Sequence, residues 1–406
     1  MNQTPDQYDG SCAPRIAFDV EELIITALKR AGRTEFADTS FYDPLRRLLA
    51  ASDAEAALNT LGRYAVRFEI QRSLRNLLAF ERREQNTPSI LSRSIERPLF
   101  ITGMPRSGST FLHRLLVQDP ALTAPRSWQL VYPHLSPSGW LESGVRRAWV
   151  QAQFYLMRLL APELDRLHHI AANEPEECTD ITAQVFQSLR YDSVYRVPSY
   201  QDWLQGHGHQ QAFRFHRRFL QHLDAHAPAR RWVLKSPDHV FALDDIQAVY
   251  PDARWVFIHR DPVAVLASVA TLTEVLRRPF TQRVDRLEIG RQVFASWREG
   301  ARRMLRAAAA SDAMLHLQYH EVLADPLRAV QRIYRHCGLT VSALATQRMR
   351  NWLENRRNRN HRPRPYVLST FGLDPYELRE EFAPYTSYFD LKLEWCAVRH
   401  ASHARR

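Results

Sequence analysis

Apolar residues recur at helical spacing in the first part of the chain. From Asp19 onward, Val20, Leu23, Ile24, Ala27 and Leu28 share one helical face. Ser52-x-x-Glu55 has the form of a capping box. The spacing predicts a helix from there toward Phe80, with Leu58, Leu61, Ala65, Leu74 and Leu78 on or near one side. Residues 1–95 therefore read as a helical N-terminal extension. The polar, proline-punctuated ERREQNTPSILSRSIERP at its end reads as a connector into the next unit.

Beyond the connector the pattern changes to short apolar runs, Leu99–Thr102, Trp232–Leu234, Arg254–His259 and Ala313–Leu317, alternating with helical patterns. Runs apolar on both faces argue for parallel strands covered on both sides. Ser236-Pro237 and Asp261-Pro262 each set a capping residue before a proline at the first helical position, directly after an expected strand. The expected fold is α/β, a P-loop-like three-layer core over residues 96–406. Its central, mainly parallel sheet is flanked by helices. In such sheets ligands sit outside the carboxyl ends of the strands, so the strand-to-helix turns carry the chemistry.

Composition narrows the class. The 406 residues are 45% hydrophobic, enough for a large core. No run is long and apolar enough for a membrane span, and the polar opening MNQTPDQYDGSCAPR lacks a signal-peptide layout, so the expectation is a soluble, cytoplasmic protein. Cys12, Cys178, Cys337 and Cys396 are far apart and form no C-x-x-C pair, which fits neither a disulfide framework nor a zinc site. A formal charge of +11 favours anionic partners without choosing among them. The chain has three lysines against 52 arginines, so Lys235, at the end of an expected strand, stands out as a compact point charge.

Three turns carry candidate chemistry. LFITGMPRSGSTFL matches a P-loop at Gly103, Gly108 and Thr110 but has Ser109 where the nucleotide-binding lysine belongs. Its glycines let the backbone approach an anion. Arg106 brings charge, and Ser107, Ser109 and Thr110 bring hydroxyls at a helix start. LKSPDH puts Lys235 at the ligand-bearing edge of the sheet. In WVFIHRDPVAVLAS, Arg260 ends a strand and Ser268 lies two turns into the next helix, a combination able to hold a second phosphate.

These turns together resemble the sulfotransferases that use 3′-phosphoadenosine 5′-phosphosulfate (PAPS), particularly the branch with tyrosylprotein sulfotransferases and many bacterial small-molecule enzymes. GMPRSGSTFL and YPDARWVFIHRDPVAVLASV carry the resemblance, with LQYHEVLADPLRAVQRIYRHCGL and YVLSTFGL in support; it covers roughly residues 97–390. It implies that Gly103, Pro105, Arg106, Ser107, Gly108, Ser109 and Thr110 hold the 5′-phosphosulfate. Arg260 and Ser268, at the family's spacing, would hold the 3′-phosphate, and Tyr319 would pack near the nucleotide. Arg106 and Lys235 would act on the phosphosulfate bridge, with Lys235 catalytic. The co-substrate would be PAPS with no metal, and the acceptor a small molecule, carbohydrate or peptide bearing a hydroxyl or amine.

One position departs from the family. Related enzymes often carry Trp-Glu where this chain has SWQLVYP, and Gln129 cannot serve as a general base. Glu177, ahead of Glu174 and His113, is the replacement expected from HHIAANEPEECTD and the first helix. The same segment also reads as a solvated acidic helix start. His168-His169 and His207-x-His209 lack a third ligand at a persuasive spacing, so no metal is expected. The seven arginines between Arg348 and Arg364 read as a lid over phosphates or as a solvated basic face. The competing functions are a kinase with a degenerate P-loop and a basic nucleic-acid-binding protein; no nucleic-acid partner is expected.

Overall fold

The computed structural model describes residues 18–133, 140–224, 230–311, 313–357 and 367–394. Helix α1 (Val20–Ala31) begins where its apolar stripe begins. Asp19 Oδ1 accepts the Glu22 amide at 3.0 Å, and Gly32, at φ +64°, ends the helix in a left-handed turn. The capping box expected at Ser52 does not form. Ser52 lies inside α2 (Tyr42–Ala54), where its hydroxyl donates to the Leu48 carbonyl four residues back at 2.7 Å. Helix α3 (Thr60–Asn86) starts instead from Asn59, whose Oδ1 accepts the Gly62 amide at 2.8 Å.

Five strands follow: β1 (Leu99–Gly103), β2 (Leu122–Thr123), β3 (Arg231–Lys235), β4 (Arg254–His259) and β5 (Leu315–Gln318). They form one sheet in the order β2-β3-β1-β4-β5, with every neighbouring pair parallel. The chain is thus an α/β fold as expected. Strand β2 escaped the sequence pattern because two residues establish no period. The register sets Ile101 opposite both Lys235 and Val256, so the carboxyl ends of the three central strands open at one level. The strand order reverses around β1, which places a crevice at its end.

Alternation along the strands sorts the core into two layers. Phe100, Leu234, Trp255 and Phe257 join the large cluster that also contains Leu23, Leu45 and Leu74 of α1–α3. Helices α1–α3 therefore share a core with the sheet. Leu99, Ile101, Val256, Ile258 and Leu317 point the other way, against α4 (Ser109–Leu116) and a later helix, Pro326–Cys337. Four further helices matter below: α5 (Ser127–Val131), α6 (Trp140–Leu160), α7 (Pro262–Arg277) and α8 (Arg286–Ala310). Asp261 caps α7 by accepting the Val263 amide at 3.0 Å, as its sequence position predicts.

Gly103, where β1 turns into the loop, is at φ +137°, and a Cβ there would lie 2.2 Å from the Ile258 carbonyl oxygen. Neither the dihedral nor the backbone oxygen of β4 can yield cheaply. Gly103→Ala should lower unfolding free energy by about 2–4 kcal/mol in denaturant titration. Wild-type stability in the variant would show that this crossing is not tight.

Candidate active site

The turn after β1 is shaped by three positive φ angles, Gly103 at +137°, Arg106 at +62° and Gly108 at +88°. Gly108 is the residue from which α4 starts, and it packs close to Tyr319. A Cβ on Gly108 would meet the Tyr319 ring at 3.1 Å. The open amides at the start of α4 and its dipole favour an anion. Ser107 Oγ is fully enclosed and has no hydrogen-bond partner among the described residues, which suits a donor waiting for a bound oxygen. Thr102 Oγ1 donates to the Ser236 carbonyl at 2.9 Å, tying this turn to the one after β3.

Lys235 ends β3 with its side chain only 1% exposed. Its ammonium donates to Thr110 Oγ1 at 3.1 Å and lies against Glu177 Oε1. A buried cation is sustained only by such partners. Glu177 is delivered by two backbone clamps. The Glu176 amide donates to the Pro125 carbonyl at 3.0 Å, within an antiparallel run beside residues 125–128, and the Cys178 amide donates to the Lys235 carbonyl at 3.0 Å.

A second group gathers at the other end of the loop. Arg106 Nε donates to Ser268 Oγ on α7 at 3.1 Å, and its Nη1 donates to the Leu167 carbonyl. Arg260 Nη1 donates to the Arg106 carbonyl at 2.7 Å, and its guanidinium lies 4.1 Å above the Tyr319 ring centre. Arg260 also grips the Glu394 carboxylate with two bonds of 2.7 Å. Arg106, Ser268, Arg260 and Tyr319 thus meet at this end of the loop. Arg106, assigned by resemblance to the Lys235 end, is engaged here at the Ser268 end, because its left-handed backbone and the Leu167 carbonyl hold it there.

The remaining candidates separate. His113 is fully buried with Nε2 3.1 Å from the Val233 carbonyl. Burial, then the charge of Lys235, push its pKa down to about 3, so it packs beneath β3 rather than facing an acceptor. Glu174 is spent on structure: its carboxylate pairs with Arg114 at 3.1 Å and its carbonyl accepts the Ser127 amide at 3.0 Å. Gln129 has a job of its own. Its Oε1 accepts the Arg126 amide at 2.9 Å, closing the first turn of α5, a role glutamine fills as well as glutamate. Of the arginine run, the residues from Arg348 to Arg357 lie on the helix Ala343–Arg357, where Arg356 covers Phe111 of α4. Those beyond 357 fall outside the described residues.

Two groups went unassigned in the sequence. Asp238, three residues past Lys235, is half-buried. Burial raises its pKa, the charge of Glu177 adds to the rise, and the result is about 7 despite Lys235. Its place in LKSPDH was the available signal. His168 was grouped with His169, yet the structure pairs it with Glu176 at 3.4 Å. His168, Glu176 and Glu177 bring three ligand-type atoms within 4.8 Å of one another, with the positive charge of Lys235 at the same place. Burial pulls the His168 pKa down, but the hydrogen bond and charge of Glu176 outweigh it and the net shift is upward. Burial raises Glu176, and His168 and Lys235 outweigh it, leaving about 2.

A parallel sheet whose central strand ends in a glycine turn, with a buried lysine arriving from the next strand, defines an α/β protein with a site suited to an anion. The chain belongs to the sulfotransferase family, whose pattern matches residues 98–343. The sulfotransferase STF1 from Mycobacterium tuberculosis H37Rv is 34% identical, with a TM-score of 0.80 over 91% of this chain and 99% of that one. STF9 from Mycobacterium avium is 29% identical, with a TM-score of 0.83 over 95% and 100%. The omega-hydroxy-beta-dihydromenaquinone-9 sulfotransferase Stf3 of Mycobacterium bovis is 25% identical over 266 residues, 63% of this chain and 66% of its own length.

The His168–Glu176 pair carries a pH signature. The raised histidine contributes below its unfolded pKa of 6.5 and loses that contribution as pH rises through the folded value. The depressed Glu176 contributes above 4.5 and loses its part toward about 2. His168→Gln should therefore cost about 1 kcal/mol between those two reference values and progressively less at alkaline pH, read by denaturant titration. A cost independent of pH would remove the charged pair.

Proposed function

We propose that this chain transfers a sulfuryl group from PAPS to a hydroxyl of an apolar, lipid-like acceptor, releasing adenosine 3′,5′-bisphosphate. The observation that carries the reading is the pair of groups at the two ends of one glycine turn. Lys235, Thr110 and Glu177 stand at one end, and Arg260, Ser268, Arg106 and Tyr319 at the other. Two anionic ends of one nucleotide call for two such groups. The donor set fits PAPS better than ATP with magnesium, since the loop has Ser109 in place of the phosphate-binding lysine. A lipid-like acceptor is supported by the name of the mycobacterial relative, which acts on a menaquinone-derived lipid.

In this mechanism the acceptor oxygen attacks sulfur in line as the bond from sulfur to the bridging phosphate oxygen breaks. Lys235 neutralises charge gathering on that leaving oxygen, with the start of α4 beside it. Glu177 takes the acceptor proton. Without ligand the Glu177 carboxylate is engaged by the Lys235 ammonium. A bound phosphosulfate competes for the ammonium and leaves the carboxylate free for its proton. Asp238, held near neutrality, is a second carboxyl within the field of Glu177 and can share that proton. At the other end the nucleotide's 3′-phosphate replaces Glu394 on Arg260.

Adenosine 3′,5′-bisphosphate should raise the melting temperature while ATP with magnesium leaves it unchanged; the reverse would favour the kinase. With labelled PAPS and a panel of hydroxylated acceptors, Lys235→Ala should lose roughly 10³-fold in turnover with nucleotide affinity nearly intact. Glu177→Gln should lose roughly 10²-fold. Arg260→Ala should weaken nucleotide binding by about tenfold or more and spare turnover at saturation. Wild-type turnover in the lysine variant would end its catalytic assignment.

A further inference from the structure

Helix α6 is built inside out. Between residues 143 and 160 every exposed position is apolar: Val145, Trp149, Tyr155, Leu156, Leu159 and Leu160, with Ala148 and Ala152 between them. The six large side chains range from 40% exposed at Leu160 to 64% at Val145. At 100° per residue they occupy one continuous face, which runs for about 23 Å. The polar residues turn inward instead. Gln151 Oε1 accepts the Ala172 amide at 3.1 Å, Gln153 donates to Tyr132 Oη at 3.1 Å, and Arg158 donates to the Ile170 carbonyl at 2.8 Å. Val150, fully buried with Trp128 and Ala172, anchors the inner side. An ordinary surface helix has the opposite polarity, and a contiguous apolar face of this size marks a surface with a partner.

Charge and composition choose the partner. Residues 143–160 contain no carboxylate; half-buried Arg146 borders the stripe, while Arg147 and Arg158 lie on the other side of the helix, Arg158 beside Asp165 at 3.1 Å. Trp149 and Tyr155 have the amphipathic rings that favour a membrane–water boundary. A second copy would bring together two chains of formal charge +11, which repel each other, whereas an anionic bilayer attracts the chain as a whole and Arg146 at the border of the stripe. No helix among the described residues is long and apolar enough to cross a membrane, so α6 would lie in the surface. The same helix holds residues 170–172 through Arg158 and Gln151, a few positions before Glu176 and Glu177.

We propose that the outer face of α6 docks the protein onto an anionic lipid bilayer, bringing the Glu177 side of the active site to membrane-resident acceptors. The docking stands on α6 alone; the delivery of acceptor rests on the lipid-acceptor reading above.

The test is co-sedimentation of the full chain with vesicles of phosphatidylcholine containing about one third phosphatidylglycerol, and with phosphatidylcholine alone. The wild type should partition onto the anionic vesicles and lose binding with added salt. A Trp149→Ser, Leu156→Ser, Leu160→Ser variant should bind at least about tenfold more weakly while keeping its response to adenosine 3′,5′-bisphosphate. That retained response also establishes that the variant folds. A wild type that ignores both vesicle types overturns the docking, as does a variant that binds equally well. A dimer that the substitutions dissociate, with vesicles ignored, assigns the face to a second copy and also overturns it. Vesicle binding without any nucleotide response would sustain the docking and defeat the sulfotransferase reading instead.

Discussion

The ammonium of Lys235 is the constraint around which the site is arranged. With 1% of its side chain exposed, it survives as a cation only where opposite charge and an acceptor are brought to it. Each partner depends on another part of the fold. Thr110 reaches it because Gly108 turns the chain through a positive φ and starts α4 beside β3. Glu177 reaches it because residues 172–177 run along 125–128, and because Cys178 bonds to the carbonyl of Lys235 itself. A lysine suits this place in a chain that otherwise uses arginine. Its compact charge can move between a carboxylate and a ligand oxygen, where a guanidinium fork would demand a planar partner.

The sheet makes that arrangement rigid. Its strands are short, but both faces are covered, one by the cluster that includes α1–α3 and the other by α4 and the helix Pro326–Cys337. The family pattern begins at residue 98, while the structural likeness to STF1 and STF9 takes in more than nine-tenths of the chain. The structural likeness therefore extends beyond the residues of the family pattern and into the N-terminal helices. Helix packing tolerates exchange among apolar side chains, whereas the turns at the strand ends must keep particular glycines, hydroxyls and charges.

Much of this was legible in the chain. Strands β1, β3, β4 and most of β5 announce themselves because residues buried on both faces are apolar without a break, and Asp261 declares its helix because capping is local chemistry. Ser52 misled because a serine inside a helix bonds backward to Leu48 and looks, in sequence, like a cap. Gln129 was recognisable as a departure, but its work at the start of α5 was not. Among the candidate bases the sequence put Glu177 ahead of Glu174 and His113. The structure spends His113 on packing and Glu174 on Arg114, and puts only Glu177 beside Lys235.

The sequence by itself determined the fold class, the glycine turn, the lysine at a strand end and the arginine–serine spacing, since each follows from contacts within a few residues or from burial on both faces. Tertiary structure alone decided which carboxylate meets the lysine, that Arg260 is held by Glu394, that Asp238 titrates near neutrality, and that α6 turns its apolar face outward. The reason is physical: periodicity shows that a helix has two faces but not which one meets the protein. The charge balance of a buried group is set by neighbours that are distant in the chain.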